Sequence, residues 1–173
     1  MKISKTSAAV LTLLLVITSG FFAYALLNPN ETKQMNSMGH GVIGREIISE
    51  YALTNSKNEQ ILKLAQQIKS DQSNEITQMK QWLTDDGLGT DPGHSMAGMA
   101  GMLSDSQLNT LKTVKGVGFD RLFLENMIEH HLGALQMVVM IENSKVAALR
   151  DFAVAITTAQ QSEIKQMQEI LGN

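Results

Sequence analysis

With 173 residues, no cysteine and a net charge of −3, the chain can bury one sizeable core but has neither disulfides nor thiolate metal ligands. No basic patch stands out, which argues against nucleic acid as a partner. Aromatic residues make up only 5%, whereas methionine, a flexible gap-filler and a soft thioether ligand, occurs 11 times.

Lys2 and Lys5 precede an uncharged run over residues 8–27, "AAVLTLLLVITSGFFAYALL". The run reads as a signal peptide cut after the Ala23-Tyr24-Ala25 site or as an uncleaved membrane anchor, since about 20 apolar residues span a bilayer. Either reading makes residues 1–27 an export segment and residues 28–39 a polar tether. Residues 40–173 are then a bundle domain outside the cytoplasm, in the periplasm or on the outer face of the membrane. Membrane contact is through the N-terminal segment only.

The pattern then predicts a short helix over 42–54, with Ile43, Ile47 and Tyr51 on one side and Glu50 on its inner stripe. Ser56 and Glu59 read as a capping box that opens a long helix to Asp85. Residues 87–101, "GLGTDPGHSMAGMAG", form a Gly-rich crossover. Ser104 with Gln107 caps a short helix to about Lys115. Helices over 119–142 and from a Ser144 cap to Leu171 complete the chain. No segment alternates with the period of a strand.

Residues 61–83 repeat as 149–171, without gaps, at an offset of 88. Ala65/Ala153, Ile68/Ile156, Gln72/Gln160, Glu75/Glu163, Ile76/Ile164, Met79/Met167 and Leu83/Leu171 are identical pairs. Two helix hairpins joined by a long Met/Gly-rich crossover predict an all-α, ferritin-like four-helix bundle.

The candidate chemistry centres on "FLENMIEHHLGALQMVVM", residues 123–140. Phe123, Met127, Ala134, Val138 and Ile141 form an apolar stripe at helical spacing, and His130 and His131 flank it. Glu75 and Glu163 fall in the middle of the stripes of the repeated helices. A carboxylate there must be paired, protonated or bound to a cation. The Glu-x-x-His pattern of di-iron bundles is absent, because Met127 and Ile128 precede the histidines by three. Thioether plus imidazole without thiolate suits Cu(I), or Ag(I), better than iron or zinc. Each of the four histidines has a methionine within four residues: Met38 with His40, His94 with Met96, and Met127 with His130 and His131. The crossover adds Met99 and Met102, and Met137 lies two turns beyond His130. The candidate metal ligands are therefore Met127, His130, His131, Met137, His94, Met96, Met99, Met102, Met38, His40, Met167, Glu163, Glu75 and Met79.

"GFDRLFLENMIEHHLGALQMV", with the later "AQQSEIKQM", resembles the signature of domain-of-unknown-function family 305. The resemblance implies an exported four-helix bundle of ferritin-like type, and some members, the CopM type, bind copper and protect against it. It carries Met127, His130, His131 and Met137 onto the family's His/Met block, and Gln160, Glu163 and Met167 onto its last-helix block. Glu129 stands where the family often has proline, and Val138-Val139-Met140 replaces the usual Met-Ala step.

The resulting expectation is an exported Cu(I)/Ag(I)-binding protein for copper buffering, resistance or transfer, with a copper exporter or chaperone as partner. No nucleophile, phosphate loop or oxyanion arrangement marks an enzyme. Two alternatives stand beside it. One is a metal-dependent, di-iron-like oxidase using Glu50, Glu75, Glu163, His130 and His131 on iron or copper. The other is a structural or interaction bundle with a buried Glu/His network.

Overall fold

The computed structural model describes residues 45–85 and 101–172, and these form five helices. They are α1 (Arg45–Asn55), α2 (Glu59–Asp85), α3 (Asp105–Thr113), α4 (Gly116–Glu142) and α5 (Ala147–Leu171). No strand occurs among the described residues, so the all-α expectation is met. None of these helices is long and apolar enough to cross a membrane. The expected export segment and tether and the predicted helix positions 42–44 lie outside the described residues, as does most of the crossover.

Two apolar clusters fix the topology. One joins Ile61, Leu64, Ala65 and Ile68 of α2 to Phe119, Phe123 and Met127 of α4 and Ile164 and Met167 of α5. The other joins Ile76, Met79 and Leu83 of α2 to Ala134, Met137 and Ile141 of α4 and Leu149, Ala153 and Ile156 of α5. Helices α2 and α4 therefore run parallel, and α5 runs antiparallel to both. Parallel neighbours cannot be joined by a tight turn, which is why a long crossover is required. Ile48 and Ala52 seat α1 on the first cluster, beside the start of α2. Helix α3 completes the return: its Leu108 and Leu111 enter the same cluster, and Asn55 Nδ2 donates to the Leu111 carbonyl at 2.9 Å.

Local chemistry explains most helix ends. The Ser104 hydroxyl and the Gln107 side chain form the expected capping box. The expected caps Ser56 and Ser144 are each two residues early. The Ser56 hydroxyl accepts the Asn58 N–H, and the Asn58 side chain then accepts the Gln60 N–H at the true start of α2. The Ser144 hydroxyl likewise accepts the Val146 N–H, ahead of a helix that begins at Ala147. Both serines build a turn into the helix rather than its cap. Helix α4 begins at Gly116, three residues before the expected Phe119, and Gly172, with φ +78°, ends α5 in the left-handed conformation.

Candidate functional site

Between the two apolar clusters lies a polar cross-section of the bundle. It is made by Gln72 between Ile68 and Ile76 on α2, His130 and His131 between Met127 and Ala134 on α4, and Gln160 and Glu163 between Ile156 and Met167 on α5. All five polar side chains are 3% exposed or less. The histidines are thus inside the bundle rather than on the flanks of its apolar stripe.

His131 Nε2 meets Glu163 Oε2 at 2.7 Å, with both side chains enclosed. The other atoms of this layer are less well served. Gln72 Nε2, Gln160 Oε1, Glu163 Oε1 and His131 Nδ1 are buried with no hydrogen-bond partner among the described residues. An unsatisfied buried polar group costs about 1–3 kcal/mol. Groups of this kind ordinarily find a partner, which a buried water or a bound ion can supply. Beside it, burial pushes the Asp71 carboxyl up, and the nearby Glu163 carboxylate adds to that shift against a lowering hydrogen bond from Gln67.

His130 is held differently. Its Nδ1 is hydrogen-bonded to the carbonyl of Gly101, where the crossover re-enters the bundle. A carbonyl only accepts, so Nδ1 carries the proton and Nε2 the lone pair in the neutral ring. The ring lies edge-on to that of His131, with centroids 5.8 Å apart. Gly101 is packed so closely on α4 that a Cβ there would stand 2.9 Å from the Gly133 Cα and the His130 carbonyl oxygen. Sequence reasoning missed Gly101 and Gly133, although "HHLG" does place a small residue one turn from His130.

The structure redistributes the proposed ligands. Met102, expected as part of the crossover, is half-buried and packs against the cluster that contains Met137 and Met79. Met127 and Met167 lie in the opposite cluster, and both are fully buried. The methionines thus divide between the two sides of the histidine layer. Glu75 is half-buried rather than enclosed like Glu163. Glu50, expected on an inner stripe, is exposed and paired with Lys69 at 3.2 Å. His94, Met96, Met99, Met38 and His40 lie outside the described residues. Among the described residues no three or more histidine, aspartate or glutamate side chains converge as a metal site.

The profile of the family described as Domain of unknown function (DUF305) matches residues 47–171. A DUF305 fragment from Deinococcus radiodurans has a similar structure, with a TM-score of 0.78 at 22% identity, covering 98% of this chain and 97% of that one. A DUF305 protein of Streptomyces coelicolor, provisionally named as secreted, gives a TM-score of 0.75 at 21% identity and covers 96% and 92% of the two chains. These likenesses establish a shared fold. No curated protein matches the sequence. A bundle with this connectivity, and a family profile over most of its length, place the chain in the DUF305 family.

Proposed function

We propose that this protein is exported and binds Cu(I), or Ag(I), through methionine and histidine side chains, to buffer copper, resist it or pass it on. Export is supported by the apolar segment over residues 8–27 and by the name of the Streptomyces coelicolor relative. The observation that carries the metal reading is the return of the crossover. Gly101 ends the Met-rich stretch "HSMAGMAG", and its carbonyl orients His130. Met102 and Met137 share one apolar cluster on that side of the bundle. An imidazole whose second nitrogen is fixed by an oxygen acceptor is the usual state of a metal-ligating histidine. Thioether and imidazole together are the donor set that suits a soft monovalent ion. His130, Met102 and Met137, with His94, Met96 and Met99 from the crossover, would hold the ion.

An iron oxidase is less well supported, because Glu50 faces solvent and Glu75 is only half-buried. A purely structural bundle would account for the His131–Glu163 pair, but not for methionines in the crossover. Titration with Cu(I) against a competing chelator separates these readings. Leucine at positions 96, 99 and 102 keeps size and apolarity, so the melt should barely move while Cu(I) stoichiometry falls. His130→Ala should lower it as well. If both variants bind as much Cu(I) as the parent, the copper reading is wrong.

A further inference from the structure

The two adjacent histidines are held by different oxygens. The Gly101 carbonyl accepts from the Nδ1–H of His130, and the Glu163 carboxylate stands at Nε2 of His131. In their neutral forms the rings are therefore opposite tautomers. His130 keeps its lone pair on Nε2, and His131 keeps its lone pair on Nδ1. An unconstrained histidine side chain prefers the Nε2–H form, so it is His130 that is forced from its preference.

We propose that Gly101 is the positioning residue of His130: the docked end of the crossover sets the tautomer that makes Nε2 a metal donor. This rests on the copper reading and adds a specific coupling to it.

Glycine is required for two reasons. Its φ is +82°, a conformation that L side chains rarely adopt. A Cβ would also strike backbone rather than a movable side-chain end, at the Gly133 Cα and the His130 carbonyl oxygen, each at 2.9 Å. Neither contact can yield without moving the crossover away from α4, and that movement withdraws the carbonyl from His130. The hydrogen bond that selects the Nδ1–H form of His130 is then lost, and its ring shifts toward the Nε2–H form. Nothing in this sequence of events touches the His131–Glu163 pair.

The test is a long-range 15N–1H spectrum of the metal-free full chain at about pH 8, where imidazoles are neutral by their ordinary values. The parent should show His130 as Nδ1–H and His131 as Nε2–H. Gly101→Ala should shift His130 alone toward Nε2–H. Its Cu(I) affinity should fall about tenfold, the lower end of the usual loss when a histidine's orienting partner is removed. A cooperative thermal melt of the variant excludes general unfolding as the cause. His130 found as Nε2–H in the parent overturns the proposal without involving the variant. So does a G101A protein with unchanged tautomer, or one whose tautomer changes while its affinity does not. If the parent shows the opposite tautomers but binds no Cu(I), the copper reading fails, and the donor role given to His130 fails with it. The ring geometry set by Gly101 would still stand, so the two failures are distinguishable.

Discussion

Helices α2 and α5 carry the same letters at equivalent positions, and the bundle treats nearly all of them alike. Ile68 and Ile156, Gln72 and Gln160, Ile76 and Ile164, and Met79 and Met167 match in burial to within about one percentage point. The exception in the middle of the repeat is the glutamate. Glu163 is 3% exposed and meets His131, whereas Glu75 is half-buried. The same carboxylate at the same place on two similar helices is enclosed where an imidazole faces it. A charge enters a core only when its counter-group is already there. Among the described residues the histidines stand on α4 alone, so the two arms pack alike but enclose their glutamates to different depths.

The sharpest way to break this comparison is to remove the counter-group. His131→Leu would leave Glu163 buried without its partner, and the loss should be about 3–5 kcal/mol in urea unfolding, as for other severed buried pairs. Glu75→Gln, at the equivalent position, should stay within about 1 kcal/mol of the parent. Equal losses from the two substitutions would mean that the two glutamates share one environment after all.

Next in size come the paired methionines. Met79 and Met167 are both fully buried, one in each apolar cluster. Alanine at either position should cost about 2–5 kcal/mol and leucine less than about 1.5 kcal/mol. The two should behave alike, because packing is the part of the repeat that is symmetric. A leucine variant that keeps its melt but loses Cu(I) would show that the thioether is a ligand and not only a filler.

Much of the bundle could be read from the chain, and the failures have physical causes. The repeat of Gln72 and Gln160 announced the polar layer, since amides in register are not what core packing selects. The starts of α2 and α5 were placed two residues early because Ser56 and Ser144 each accept the N–H two residues on to build a turn, a short-range bond that in sequence looks like a cap. Glu50 was assigned to the inside because α1 is short. Three turns do not fix the phase of a stripe well enough to separate neighbouring faces. Met102 was assigned to the crossover because the Gly- and Ala-rich stretch "MAGMAG" leads directly into it. Only the docking of Gly101 on Gly133, a contact between segments far apart in sequence, brings it against the core. The site's donor atoms were beyond reach for a related reason. Which nitrogen of a histidine carries the proton is decided by the oxygen beside it, and sequence spacing does not say which oxygen that is.

The smallest effect concerns Asp71, whose counterpart in the repeat is Ala159. Burial raises its carboxyl above the ordinary 3.8, and the charge of Glu163 raises it further. A carboxyl with a raised folded-state value binds its proton more tightly in the native chain than in the unfolded one. Stability then falls as pH rises through the window between the two values, and the cost is fully present above it. Asp71→Asn should therefore be modestly more stable than the parent at neutral pH, and the advantage should vanish in acid below the unfolded value. The loss of the Gln67 contact works against this gain, so the pH dependence is more diagnostic than the absolute change. Glu163→Gln should move the Asp71 titration toward its ordinary value, because it removes the second cause and leaves the first. Carbon-detected carboxyl titrations of the parent and the two variants read both effects. An Asp71 midpoint that ignores Glu163→Gln would mean that the charge of the polar layer does not reach the opposite repeat helix, and that the asymmetry between the two arms ends at the His131–Glu163 contact.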